Sequence, residues 1–214
     1  MNNLIRVAGL IGDVHAEHVL LERAIQYLSD KVDSFLAVGD IVDGMGDADR
    51  CCDLLREVQA HAVRGNHERW FLKDEMRVLS DAHFKDKLRP DTVQWLEGLP
   101  VNVDLDCVGG RLLLCHGIGK NDMAEINPDD YGREIEFNPD LETLVYASGY
   151  RYVVNGHSHR RLVRKIDKIT FINAGTLRRR NDPCFGLANF EARTVQFFDL
   201  NDEGFTPTEV RVLP

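Results

Sequence analysis

The chain has 214 residues, 43% of them hydrophobic and 29% charged, the balance of an ordinary globular protein long enough to bury a core between two or more layers. Its 26 basic residues against 35 acidic ones give a formal net charge of -9, which argues against broad electrostatic binding to nucleic acid or to an anionic membrane and leaves room only for a small anion held locally. No stretch approaches the roughly 18 apolar residues of a membrane span. The five cysteines Cys51, Cys52, Cys107, Cys115 and Cys184 are odd in number and lack CxxC spacing, which fits a reduced cytoplasmic setting rather than a disulfide framework or a thiolate zinc site.

Leu4 to Ile11 reads as a buried strand that leaves through the turn Gly12-Asp13-Val14-His15, an apolar run too short for a signal peptide. Glu17 to Asp30 follows with Val19, Leu20, Ala24, Ile25 and Leu28 at helical spacing. The pair repeats: Phe35 to Val38 is a strand ending in Gly39-Asp40-Ile41-Val42-Asp43, and Asp47 to Val58 a helix. His61 to Arg64 forms a third strand, ending in Gly65-Asn66-His67-Glu68, before a helix over Arg69 to Ser80. Pro90 and Asp91 open another helix that Leu99-Pro100 closes. Val101 to Leu105 and Arg111 to Cys115 make a hairpin turned at Gly109-Gly110, and the second strand ends in His116. Residues 118–139, broken by Asn127-Pro128 and Asn138-Pro139, read as a long loop over the site. A helix from Leu141 to Ser148 leads to the strand Tyr152 to Val154, which ends in Asn155-Gly156-His157-Ser158-His159. Strands then dominate: Leu162 to Ile166, Ile169 to Ile172, Phe185 to Phe190, Thr194 to Leu200 and Glu209 to Leu213. Alternation in the first half and strands in the second predict an α/β protein, one domain over 1–214, with two packed sheets and helices outside.

Each ligand type has a plain structural explanation when taken singly: Asp and Asn at strand ends cap turns, and a lone His after an apolar run is usually a packing residue. The joint pattern reads differently. Five of the eight histidines, His15, His67, His116, His157 and His159, fall in these strand-end clusters, and His18, His61 and His83 are left as surface or packing residues. Asp13, His15, Asp40, Asn66, His116, His157 and His159 outnumber the four ligands of one tetrahedral ion, and mixed imidazole and carboxylate donors suit divalent transition metals: Mn, Fe, Zn, Co or Ni. A shared Asp40 would let two ions serve one displacement at phosphorus.

These five blocks in this order, spanning residues 12 to 159, resemble the signature of the calcineurin-like metallophosphoesterases. Asn173-Ala174-Gly175-Thr176 is similar to a turn in the small bacterial and archaeal phosphodiesterase branch. The resemblance implies a four-layer αββα sandwich with two central mixed sheets. It also implies a pair of divalent ions, manganese first among the candidates, with Asp13, His15 and His159 on one, Asn66, His116 and His157 on the other, and Asp40 bridging. Hydrolysis of a small phosphate ester, of the diester type in that branch, would proceed by attack of a hydroxide shared by the metals. His67 matches the family's non-ligand histidine, a general acid or charge stabiliser, and Asp43 the carboxylate that orients it.

Arg178, Arg64 and Arg160 are candidate substrate-binding residues, with solvated or salt-bridged surface roles as the competing explanation for each; for Arg64 and Arg69, beside the third block, salt bridging is favoured. Cys115 reads as a small buried residue and Glu68 as a structural hydrogen-bonding partner. The protein Ser/Thr phosphatases of this superfamily carry Arg-Gly after the second block, where this chain has Gly44-Met45. Phosphoprotein phosphatase and dinucleoside polyphosphate hydrolase stand as alternatives on the same site. A non-catalytic scaffold is a remoter one, and no oligomeric partner is indicated.

Overall fold

The computed structural model describes residues 4–147 and 149–214. In chain order it contains β1 (Val7–Ile11), α1 (His18–Leu28), β2 (Ser34–Ala37), α2 (Ala48–Glu57), β3 (His61–Ala62), α3 (Asn66–Lys73), α4 (Pro90–Glu97), β4 (Asn102–Cys107) and β5 (Gly110–Cys115). There follow α5 (Arg133–Glu136), α6 (Pro139–Ala147), β6 (Tyr152–Asn155), β7 (Leu162–Ile166), β8 (Ile169–Asn173), β9 (Cys184–Asn189), β10 (Thr194–Leu200), β11 (Phe205–Pro207) and β12 (Arg211–Val212).

Two mixed sheets form. One runs β11-β10-β9-β1-β2-β3, with β12 also on β10; the other runs β4-β5-β6-β8-β7. Strand periodicity divides the apolar residues into three cores. Leu10, Leu36, Leu112, Leu114, Val154, Ile172 and Phe197 share the core between the sheets. Their neighbours Ile11, Phe35 and Ala37 face outward onto Leu20, Leu21, Leu54 and Leu55 of α1 and α2. On the other side Leu113, Cys115, Val153 and Phe171 pack against Leu141, Leu144, Ile118 and Ile126. The expected αββα layering is therefore present.

Three regions depart most from the sequence reading. The helix expected over Arg69 to Ser80 is α3, which starts at Asn66 and stops at Lys73 because Asp74 turns left-handed, with φ 60°. Aspartate tolerates that conformation, but no glycine or proline announces the stop. The segment 118–139 contains the short α5 and yields Pro139 to α6, where proline suits the first helical turn. Ser148, the expected end of that helix, lies outside the described residues. The strand expected up to Leu213 shrinks to β12, and no helix among the described residues is long and apolar enough to cross a membrane.

The parallel strands β1, β2 and β3 in one sheet, and β5 and β6 in the other, put their carboxyl ends on the same edge of the sandwich. That edge is where α/β sheets open into ligand crevices.

Candidate metal centre and its comparisons

Every cluster singled out in the sequence leaves a strand on this edge. Asp13 and His15 follow β1, Asp40 and Asp43 follow β2, Asn66 and His67 open α3 after β3, His116 follows β5, and His157 and His159 follow β6. Five of these residues, His15, Asp40, Asp43, His157 and His159, have positive φ, between 46° and 67°. For non-glycine residues this backbone is uncommon and costs energy, and it turns consecutive side chains toward one point.

The side chains converge. His15 Nε2 and His159 Nε2 are 3.1 Å apart, and His159 Nε2 is 3.4 Å from Asp13 Oδ2. His116 Nε2 lies 2.9 Å from Asn66 Oδ1 and 3.4 Å from Asp40 Oδ2. The His116 and His157 rings stand 5.2 Å apart. Two overlapping groups could each hold an ion, His15 with Asp40 and His67, and Asp40 with His116 and His157. Asp40 belongs to both.

The donor set suits cations. Asp13 is wholly buried, and its Oδ2 has no hydrogen-bond partner; an orphaned buried carboxylate oxygen is costly unless a charge completes it. Two imidazole nitrogens facing each other at 3.1 Å cannot both be acceptors without something electropositive between or beside them. Burial pushes Asp13 up to about 8, His15 down to about 3 and His159 down to about 4. His116 is pushed up to about 10: burial opposes this, and the charges of Asp40 and Asp13 outweigh it. Burial thus favours the neutral forms of Asp13, His15 and His159, while His116 is held charged beside Asp40.

Two imidazoles of the cluster are oriented from behind. His15 Nδ1 lies 2.8 Å from the Asp43 carbonyl, and His116 Nδ1 lies 2.7 Å from the Val38 carbonyl, so each ring donates there and presents Nε2 to the centre. Glu68 is fully buried and accepts the backbone N–H groups of Asp40, Ile41, Val42 and Gly65 at 2.6 to 3.0 Å. It fixes the Asp40 loop and has the structural part expected of it. Gly65 is required by crowding, since a Cβ there would fall 2.2 Å from Asp40 Oδ1 and 2.9 Å from His116 Cε1.

His67 stands at the rim. Its Nδ1 is 2.9 Å from Asp43 Oδ2, and its Nε2 points inward, 3.9 Å from Asp40 Oδ2. Asp43 is itself gripped. Arg77 donates to its two oxygens at 2.9 and 2.8 Å, and the His83 backbone N–H donates at 2.8 Å. Burial works against the Asp43 charge, but the bonds from His67, Arg77 and His83 hold it down to about 2. His67 is raised above its ordinary value, burial being outweighed by Asp43 and Asp40.

Sequence reasoning missed Arg77 and His83. Arg77 lies where a continued helix was expected and His83 just beyond its expected end, and the left-handed stop at Asp74 brings the segment back over Asp43. His83, set aside as a surface or packing residue, accepts the Asp43 N–H on Nδ1 at 2.9 Å.

The three candidate arginines separate. Arg178 is close enough to act electrostatically on both His15 and His159, and it pairs with Asp81. Arg160 reaches away to Asp129 at 2.7 Å. Arg64 is half-buried and makes no ion pair among the described residues, whereas Arg69 forms a two-pronged pair with Asp122, at 2.6 and 2.9 Å. That pair ties the 118–139 segment to α3, next to His67. Gly44 approaches the chain so closely that a Cβ would fall 1.8 Å from the His15 carbonyl oxygen, and no side chain fits there.

Two mixed sheets between helices thus carry a carboxylate-imidazole cluster at their strand ends. Residues 7–194 match the family model of the calcineurin-like phosphoesterase superfamily domain, and the chain belongs to that superfamily. Among solved structures it is similar to a metallophosphoesterase from Sphaerobacter thermophilus, at 21% identity and a TM-score of 0.67, over 98% of this chain and 90% of the other. A hypothetical protein from Pyrococcus horikoshii gives 14% identity and a TM-score of 0.76, over 92% and 89%. An archaeal phosphodiesterase gives 16% and 0.57, over 91% and 99%. No curated protein matches the sequence.

Proposed function

We propose that the protein is a phosphoesterase with two divalent metal ions, acting on small phosphate esters, of the diester kind first. The observation that carries this reading is the position of Asp40 in both ligand groups, with His67 beside it and turned inward. Asp13, His15 and His159 would hold one ion, Asn66, His116 and His157 the other, and Asp40 both. When bound, such ions supply an activated water near neutral pH and offset phosphoryl charge. The first-row series Mn, Fe, Co, Ni and Zn suits the mixed donors, with manganese the first choice.

The chain's own groups do the rest. His67, protonated and held by Asp43, delivers a proton to the departing oxygen through Nε2 or stabilises charge there. The carboxylate behind Nδ1 keeps that proton on the inward nitrogen. Arg178, which acts electrostatically on His15 and His159, is assigned to the substrate phosphate; Arg64 and Arg160 are the weaker assignments. The close approach at Gly44 disfavours the phosphoprotein phosphatase alternative, because the arginine that those enzymes carry at this point cannot be built here. The cytoplasm is the proposed compartment.

A panel of bis(p-nitrophenyl) phosphate, p-nitrophenyl phosphate, a cyclic nucleotide, a dinucleoside polyphosphate and a phosphopeptide, run with each metal, tests the reading. Metal-dependent turnover with diesters ahead supports it; a preference for the phosphopeptide would replace it.

A further inference from the structure

His67 and Trp70 are three residues apart on α3 and so share one face of it, and their rings touch, with 4.8 Å between centroids and 63° between planes. Trp70 is half-buried, yet among the described residues it joins none of the three apolar cores. Trp95, the other tryptophan, packs on the core that faces α1 and α2. Core packing therefore accounts for Trp95 and leaves Trp70 to its contact with the histidine.

A closed ring of contacts runs through this pair. The Trp70 carbonyl accepts the Glu75 N–H at 2.8 Å, and the Glu75 carbonyl accepts Arg77 Nε at 2.7 Å. Arg77 grips Asp43, and Asp43 Oδ2 lies 2.9 Å from His67 Nδ1, which closes the ring. One residue holds His67 by a nitrogen and another by its ring face, and the stretch 70–77 sets both. Arg69 stands outside this ring. Its guanidinium lies 5.8 Å from the centre of the Trp70 ring, within reach of a cation–π contact, while its fork is on Asp122 at 2.6 and 2.9 Å. The 118–139 segment thereby reaches His67 through Asp122, Arg69 and Trp70.

We propose that Trp70 is a positioning residue for His67, and that Asp122 acts on the same histidine through Arg69 and Trp70. The terminal torsion of a histidine side chain is broad, so the contact at Nδ1 alone leaves the imidazole plane free to swing. Ring contact with Trp70 removes that freedom and keeps Nε2 turned into the site. The indole itself neither gives nor takes a proton. This rests on the phosphoesterase reading, and it adds how the proton donor is aimed and what the 118–139 segment does for it.

The test is a double-mutant cycle on the full chain loaded with manganese, read on bis(p-nitrophenyl) phosphate, with bound metal counted in every variant. Trp70→Leu should lower kcat about ten- to a hundredfold, the scale for misplacing a reacting group by up to an ångström, with KM and metal content unchanged. Trp70→Phe, which keeps a ring against His67, should recover most of that loss. In a His67→Ala background Trp70→Leu should cost nothing further, because a positioning residue has no effect once its histidine is gone. Asp122→Asn should lower kcat by less than Trp70→Leu, and it too should have no effect in His67→Ala. Losses that add in the double variants, a loss that Trp70→Phe fails to recover, or a change in KM alone would overturn the assignment and leave the phosphoesterase reading standing. A wild type that cleaves no ester of the panel would remove both.

Discussion

Arg77 and His67 meet on the same carboxylate: Asp43 Oδ2 accepts from Arg77 at 2.8 Å and lies 2.9 Å from His67 Nδ1. Asp43 carries no solvent exposure, so its charge is balanced by these partners and the His83 N–H rather than by water.

Replacing His67 removes a rim imidazole that faces inward without being a proposed ligand. His67→Ala should lower kcat by about 10²- to 10⁴-fold, the usual contribution of a positioned acid, with metal content unchanged. Steady-state kinetics with elemental analysis of the same sample checks both parts.

Asp43→Asn keeps the shape and removes the charge that raises His67. A raised pKa means that His67 stays protonated to higher pH than a free imidazole, so kcat should fall on an alkaline limb as that proton is lost. In Asp43→Asn the limb should move to lower pH. A pH profile of kcat for both proteins decides it, and a limb that stays in place would dissociate Asp43 from His67.

The Asp43 pairing also contributes to stability, with the opposite dependence on pH. Its carboxyl lies at about 2 in the fold against an ordinary 3.8, so the contribution is complete above the ordinary value and fades as pH falls through about 2. Arg77→Ala leaves the buried carboxylate short of its cation and should cost roughly 3–5 kcal/mol, the range for breaking a buried pair. Urea unfolding at neutral pH measures this, and the deficit should shrink in acid.

Glycine at position 65 answers to crowding rather than to backbone angle. Gly65→Ala should lose metal and activity together, because the added methyl meets Asp40 Oδ1 at 2.2 Å. Metal content and thermal melting distinguish this from simple unfolding.

Much of this was legible in the sequence. Strand-helix alternation and strand-end aspartates and histidines announced the layers and the cluster, because parallel strands send their carboxyl ends to one edge. Glu68 was legible as a structural partner, though not that it binds four backbone N–H groups. What escaped was the stretch after Lys73. The apolar spacing there continues a helix, and an aspartate rather than a glycine ends it, so Arg77 and His83 had no local signal placing them on Asp43. The roles of Arg160 and Arg178 were equally hidden, since Asp129 and Asp81 are distant in sequence and only the fold pairs them.

The proposed function turns on Asp40 being shared by two catalytic ions. The most direct measurement is hydrolysis of bis(p-nitrophenyl) phosphate by manganese-loaded protein, with bound metal counted, in the wild type and in Asp40→Asn. Two ions per chain and turnover are expected in the wild type, with metal and turnover both lost in the variant. Unchanged turnover in Asp40→Asn, or a wild type that binds no metal and cleaves no ester, would contradict it.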